Sequence, residues 1–292
     1  DKVWGVDTVA KNKSTSFYGS VVSLTESPVK EGVLFAGTDD GLIQVTLDGG
    51  DTWSKTKWPK KVPENSYVSD LEASLFNEST VFATFDNHKK GDFAPYVYRS
   101  DNNGKSWKNI TGNLPKRGSV YTVVQDHVNK DLLFVGTEFG VFFTQNGGSN
   151  WTQLKGNMPT IAIRDLEIQR RENDLAMASF GRGFFIFDDY TPLRELAKTV
   201  KSAPATIFPV RKAIQFIESD PMGLPGKAMQ GADFYFAEDP AYGAVFSYYI
   251  GDDFTSLKAK RQKKDAKLRK DDKPVYYPSW VELKEEDLEP GS

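Results

Sequence analysis

Apolar and polar residues alternate in short runs through the first two thirds of the chain, with a period of two rather than three to four. VLFAG at 33–37, VFATF at 81–85, LLFVG at 132–136 and LAMAS at 175–179 are each long enough for one strand and rich in β-branched or aromatic residues. After each comes a glycine-containing turn and a second strand-like run. Upstream of each lies another alternating run: Val21–Leu24, Val68–Leu75, Val120–Gln125 and Ile161–Ile168. The first three copies continue into a polar glycine turn and a tryptophan. This grammar predicts four short strands per unit and four units over residues 17–190. The fourth copy, at 175–193, matches the first half of the plan and then departs from it.

The polar turns are more specific than the spacing. Thr46-Leu47-Asp48-Gly49-Gly50-Asp51-Thr52-Trp53 fits Ser/Thr-x-Asp-x-Gly-x-x-Trp in full. Ser100, Asn102, Gly104 and Trp107 repeat it, as do Thr144, Asn146, Gly148 and Trp151, with Asn in the Asp place. An Asp or Asn side chain there accepts backbone N–H bonds two residues on and closes the turn. Tryptophan then folds over the hairpin and buries a large apolar face. The Trp-to-Trp spacings of 54 and 44 residues suit a blade of four strands. The reading is an all-β chain of propeller blades.

These turns resemble the Asp-box, or BNR, repeat over roughly residues 17–190. VWGVDTVAKN, GTDDGLIQVTLDGG, GTEFGVFFTQNGG and FIFDDYTPLREL are similar to a family of bacterial exported proteins related to the sortilin (VPS10) propeller. Members are often named glycosyl hydrolases on the repeat alone. The resemblance implies a longer parent chain, with further blades before Asp1 and a β-sandwich after the propeller. It also implies a secreted or cell-envelope location.

Beyond the repeats, Thr191–Val200 reads as a short helix, with Thr191 as N-cap and Pro192 at the first helical position. Residues 1–200 are therefore assigned to blades, 201–242 to closing strands and a Gly/Pro-rich linker, and 243–292 to an incomplete second β domain. That last segment opens with GAVFSYYI and carries a basic run. Between Lys258 and Lys273 stand nine basic and three acidic residues, read as a solvated helix or loop or as a site for an anionic partner.

Composition narrows the chemistry. The 292 residues are 39% hydrophobic and 26% charged, which is globular, and the net charge of -3 gives no sign of nucleic-acid binding. The absence of cysteine removes disulfides, thiolate metal sites and cysteine nucleophiles. No apolar run is long enough to span a membrane. No metal and no cofactor is predicted. His88 and His127 are the two histidines, and Asp126-His127 reads as a surface polar pair at a turn.

Recognition on a propeller falls to the loops opposite the polar turns. These loops place Asp39, Asp40, Asp86, His88, Phe93, Glu138, Phe139 and Arg182 on one surface, with Asp70, Arg164 and Asp165 at the starts of inner strands. The expected ligand is a protein, a peptide or a glycan, and the expected companions are other fragments of the same parent protein. The bland alternative is a set of solvated turns. A glycosidase would instead need two carboxylates across one cleft, and Asp70 and Asp165 are the candidates. Those two fit equally well as channel-lining groups paired with Arg164 and Arg182. The arginine cluster of a sialidase has no convincing counterpart.

Overall fold

Four of the alternating segments become four antiparallel sheets in sequence order. The computed structural model describes residues 19–156, 158–202, 205–213, 215, 217, 242–251 and 255–288. The opening VWGVDTVAKN segment and most of the Gly/Pro-rich linker lie outside the described residues. The chain divides into two compact units, residues 1–194 and 195–292.

In the first unit, β1 (Val21–Glu26), β2 (Leu34–Thr38), β3 (Ile43–Thr46) and β4 (Ser54–Lys55) make the first sheet. The second holds β5 (Tyr67–Ala73), β6 (Val81–Asn87), β7 (Asp92–Ser100) and β8 (Lys108–Asn109). The third holds β9 (Val120–Gln125), β10 (Leu133–Thr137), β11 (Gly140–Thr144) and β12 (Thr152–Gln153). Consecutive sheets pack face to face, as successive blades of a β-propeller do. Val33, Phe35 and Val45 meet Val68, Leu71 and Phe85 between the first two sheets. Phe82 and Val97 meet Val123, Val135 and Phe142 between the second and third. Each large side chain fully buried there contributes about 1.5–3 kcal/mol, so the interfaces between sheets carry the fold.

The fourth sheet departs from the four-stranded expectation. β13 (Ile163–Gln169), β14 (Asp174–Ser179) and β15 (Phe184–Phe187) form three strands only. The chain then enters α1 (Pro192–Ser202), where the other sheets have their polar turn and fourth strand. Thr191 precedes this helix as predicted, but its hydroxyl donates to Asp189 Oδ1 (2.6 Å). A buried network secures the exit. Asp126 is fully buried and accepts from Arg194 Nε (3.0 Å), Arg194 Nη2 (2.7 Å) and the Tyr190 hydroxyl (2.7 Å). Asp126 is thus an internal anchor rather than a surface residue, because an arginine 68 positions away supplies its counter-charge. Burial alone would raise its pKa, but the hydrogen bonds from Arg194 and Tyr190 hold it below the usual value.

Close approach of the sheets is written into Gly136 of β10. A Cβ there would sit 2.7 Å from Thr122 Cγ2 and 2.8 Å from the Ile163 carbonyl oxygen of the next sheet. Each inner strand also carries one unpaired residue near its start. Val22, Ser69, Tyr121 and Arg164 fall at register shifts against the second strand of their sheets. Such a bulge re-aims a side chain without breaking the sheet.

In the second unit, β16 (Ala205–Ile207) pairs antiparallel with β17 (Tyr248–Ile250). The basic run forms α2 (Leu257–Lys270), which begins where the Ser256 hydroxyl accepts the Ala259 N–H. A further helix, α3 (Trp280–Leu288), follows where a β domain was expected. Ser279 and Glu282 form a reciprocal capping box at its start, and Glu286 accepts two bonds from Arg261 (2.5 and 2.9 Å).

Candidate binding site

The three polar turns share one geometry, and it differs from the sequence expectation in its reach. Thr46 Oγ1 donates to Asp48 (2.6 Å) and accepts the Gly50 N–H (2.9 Å), while Asp48 accepts the Thr52 N–H (2.9 Å). Ser100, Asn102 and Gly104 repeat this, with Asn102 accepting the Ser106 N–H (2.9 Å). Thr144, Asn146 and Gly148 do so again, with Asn146 accepting the Asn150 N–H (2.9 Å). The carboxylate or amide therefore reaches four residues on rather than two. The hydroxyl donors and N–H groups lower the Asp48 pKa to about 2, so the turn is held by an ionised group. All these side chains are occupied in closing turns.

The tryptophans divide. Trp151 is 4% exposed and donates Nε1–H to the Ile110 carbonyl (2.9 Å) of the preceding sheet, and Trp107 packs partly buried against the first interface. Trp53 is 42% exposed, so it does not bury over its hairpin as expected. The preceding sheet that seats Trp107 and Trp151 has no counterpart beside Trp53 among the described residues.

On the opposite side, a cavity of about 320 Å³ is lined by Tyr67, Ser69, Asp86, His88, Lys89, Tyr121 and Arg164. The inner-strand bulges supply three of these: Ser69, Tyr121 and Arg164. The end of β6 supplies Asp86, and the turn after it supplies His88 and Lys89. Asp86 is buried, accepts the His88 backbone N–H (3.0 Å) and pairs with His88 Nδ1 through its second oxygen. This fixes the imidazole at the wall of the cavity. The Arg164 guanidinium lies over the Tyr121 ring at 3.9 Å and over Phe180 at 5.3 Å, and it forms no ion pair among the described residues. The Tyr121 hydroxyl donates to Glu138. Burial first, and then this bond, push the Tyr121 pKa well above the usual phenol value. Tyr67 is also raised, by burial and by the charges of Asp39 and Asp86, and Lys89 lies 5.8 Å from its ring centroid.

Asp86, His88 and Arg164, all predicted, therefore line one cavity, and Glu138 joins through Tyr121. Asp39 accepts the Ser20 N–H (2.9 Å) and acts on Tyr67 through its charge. Asp40 is held by the Thr38 hydroxyl of its own turn. Phe93 stacks under Arg117 at 5.0 Å, and Gly118 lies between it and Phe139: its N–H donates to the Phe93 carbonyl, and a Cβ there would touch the Phe139 ring at 3.1 Å. These two phenylalanines form a patch of their own. Arg182 is exposed in the turn between β14 and β15 and does not line the cavity.

The paired carboxylates separate. Asp70 Oδ2 accepts from the Thr122 hydroxyl and the Val123 N–H, both at 2.9 Å, and Oδ1 accepts the Leu71 N–H (2.8 Å). Burial raises its pKa against these bonds. Asp165 is exposed, and among the described residues it accepts one bond, from the Leu166 N–H (2.9 Å). Neither is paired with Arg164 or Arg182, because the Arg164 guanidinium rests on aromatic faces instead. Tyr67, Ser69, Lys89 and Tyr121 were not singled out from sequence. Ser69 and Tyr121 occupy the same inner-strand position as Arg164, and that alignment was the available signal.

Among the described residues no cluster of metal-ligating side chains occurs, and no helix is long and apolar enough to cross a membrane. No protein-family model and no curated protein matches the chain. Solved structures with similar folds include YCF48 bound to D1 peptide, at 14% identity and TM-score 0.46 over 60% of this chain and 53% of that one. A GH74 enzyme from Niastella koreensis matches at 14% identity and TM-score 0.47, over 59% of this chain and 29% of that one. An auxiliary nutrient binding protein from Bacteroides thetaiotaomicron matches at 13% identity and TM-score 0.45, over 60% and 40%. The chain thus spans about half the length of these structures or less.

Proposed function

We propose that this protein is a non-catalytic, exported binding scaffold that takes a peptide, protein or glycan segment at the cavity between its second, third and fourth inner strands. The observation that carries this reading is Arg164, a guanidinium held between Tyr121 and Phe180 with no carboxylate partner among the described residues. Arginine positioned on an aromatic face retains its fork of donors for a ligand's acidic or carbonyl oxygens. Tyr67 offers an aromatic surface for an apolar or sugar ring, and the Asp86–His88 pair offers an oriented hydrogen-bonding edge. Binding scaffolds and enzymes both stand among the similar folds: a peptide-bound protein, a nutrient binding protein and GH74 enzymes.

Turnover by the Asp70–Asp165 pair is the second reading. Asp70 argues against it, because both its oxygens already hold backbone or hydroxyl donors of the fold. A general acid or nucleophile needs an oxygen turned to the substrate. The test is incubation with a panel of oligosaccharides, sialosides and peptides, followed by mass spectrometry of the ligands. Retention of unchanged ligands, lost in Arg164→Ala, is expected. Cleavage products that disappear in Asp70→Asn or Asp165→Asn would replace binding with hydrolysis.

A further inference from the structure

We propose that one face of α2 binds a linear acidic polysaccharide, at a site of its own and independent of the cavity. Lys260, Lys263, Lys267 and Lys270 follow one another at spacings of three, four and three residues, so they share one face of the helix. The row runs about 15 Å along the axis. Neighbouring side chains in it start about 5–6 Å apart. All four lysines are exposed, and none forms an ion pair among the described residues.

The other side of the helix is fixed to α3. Arg261 pairs with Asp265 (3.5 Å) one turn on, and its two bonds to Glu286 reach across to α3. Glu286 is buried, and Leu268, beside Asp265 on the same side of α2, is half-buried. The acidic partners therefore stand on the α3 side, and the lysine row is presented on a held helix, turned away from them.

The row opposes the stability of its own helix. Like charges three and four residues apart repel. The first turn also carries Lys258 and Lys260 and no acidic residue, against the positive end of the helix dipole. Local choices that work against the local structure mark a functional surface. The exposure of the row follows from its composition, because ammonium groups are almost never buried unpaired.

The chemistry of the face selects the partner. Ammonium groups are compact point charges. A single file of them suits carboxylates or sulfates carried one after another on a linear chain. Single-stranded nucleic acid is held by stacking aromatics, and the row contains no aromatic residue. Lying in a bilayer needs an apolar face, and the apolar residues between these lysines are Ala259 and Ala266, too small to anchor in lipid. A protein partner is gripped by buried aromatic or arginine anchors, which the row also lacks. A linear acidic glycan asks for none of these.

Titration of the full chain with polygalacturonate, heparin and neutral dextran tests this, the first two separating carboxylate from sulfate. At least one acidic chain is expected to bind and dextran is not, and the binding should weaken as salt rises. The joint variant Lys260→Gln, Lys263→Gln, Lys267→Gln, Lys270→Gln should bind about tenfold more weakly or worse, the loss that four exposed ion pairs imply. Its circular dichroism should stay that of the parent, because Gln is a good helix former and all four positions are exposed. A second joint variant, Lys55→Gln, Lys60→Gln, Lys105→Gln, Lys116→Gln, removes the same charge from exposed positions of the first unit. It should stay within about twofold of the parent. Equal losses in the two variants would overturn the proposal and reduce the binding to net charge. Absence of binding to both acidic chains would also overturn it. Tighter binding of phosphatidylglycerol vesicles or of an oligothymidylate strand, lost in the α2 variant, would overturn it in favour of a membrane or a nucleic acid.

Discussion

Asp70 on β5 accepts the Thr122 hydroxyl of β9 at 2.9 Å, and so the inner strands of two consecutive sheets are fastened by one carboxylate. The Val123 N–H binds the same oxygen. Asp165 occupies the equivalent position in the fourth sheet and, among the described residues, fastens no second strand. One residue type in one repeat position thus has two different energetic roles, set by its neighbours.

The contrast predicts unequal effects. Asp70→Ala removes the acceptor of three donors and should destabilise by about 2–4 kcal/mol, the sum of lost bonds and stranded buried donors. Asp165→Ala should stay within about 0.5 kcal/mol, as exposed substitutions do. Denaturant unfolding of the two variants measures both.

Glu72 gives a pH dependence of defined sign. Burial, and then the nearby Asp70 charge, raise its pKa from 4.5 to about 8. The folded state therefore holds a proton that the unfolded state has released between these two values. Stability from this group should be fully present below pH 4.5 and decline as pH rises towards 8. Glu72→Gln, which fixes the neutral form, should flatten that decline and raise the melting temperature at pH 8 and above. Melts of both proteins across this range provide the check, and parallel curves would refute the assignment.

The tryptophans give a second pair. Trp151→Ala opens a cavity and strands the Ile110 carbonyl, and should destabilise by about 3–5 kcal/mol. Trp53→Ala leaves a site already open to solvent and should shift stability by about 1 kcal/mol or less. Equal losses would mean that Trp53 is covered in solution.

Asp126→Ala should destabilise by about 3–5 kcal/mol, because it leaves the Arg194 guanidinium half-buried without its counter-charge. Loss of the Arg194 and Tyr190 contacts frees the start of α1. Hydrogen exchange should therefore quicken in α1 before it does in β5 or β6.

The sheets were legible because strand alternation, Gly turns and the Thr46/Asp48, Ser100/Asn102 and Thr144/Asn146 turns are all local. The fourth sheet was legible only in part. Its first three strands obey the pattern, and the helix that stands where the fourth would be was readable in Thr191 and Pro192, whereas the Asp126–Arg194 contact that anchors it joins residues far apart in sequence. Asp86, His88 and Arg164 could be placed by repeat position. Tyr121 and Ser69 could not be singled out so readily, because a bulge depends on the register between two strands. α3 was missed although the Ser279–Glu282 capping box was readable, since expectation of a β domain outweighed it.

The most direct test of the binding site is a titration of ligands from the peptide and glycan panel against the parent protein, Arg164→Ala and Arg182→Ala. Arg164 lines the cavity and Arg182 does not. Loss of a charged bidentate contact should weaken binding by about 2–3 kcal/mol in Arg164→Ala, roughly 30- to 150-fold, with Arg182→Ala within about twofold of the parent. Equal affinity of the parent and Arg164→Ala for every ligand bound would contradict the account and move the site away from this cavity.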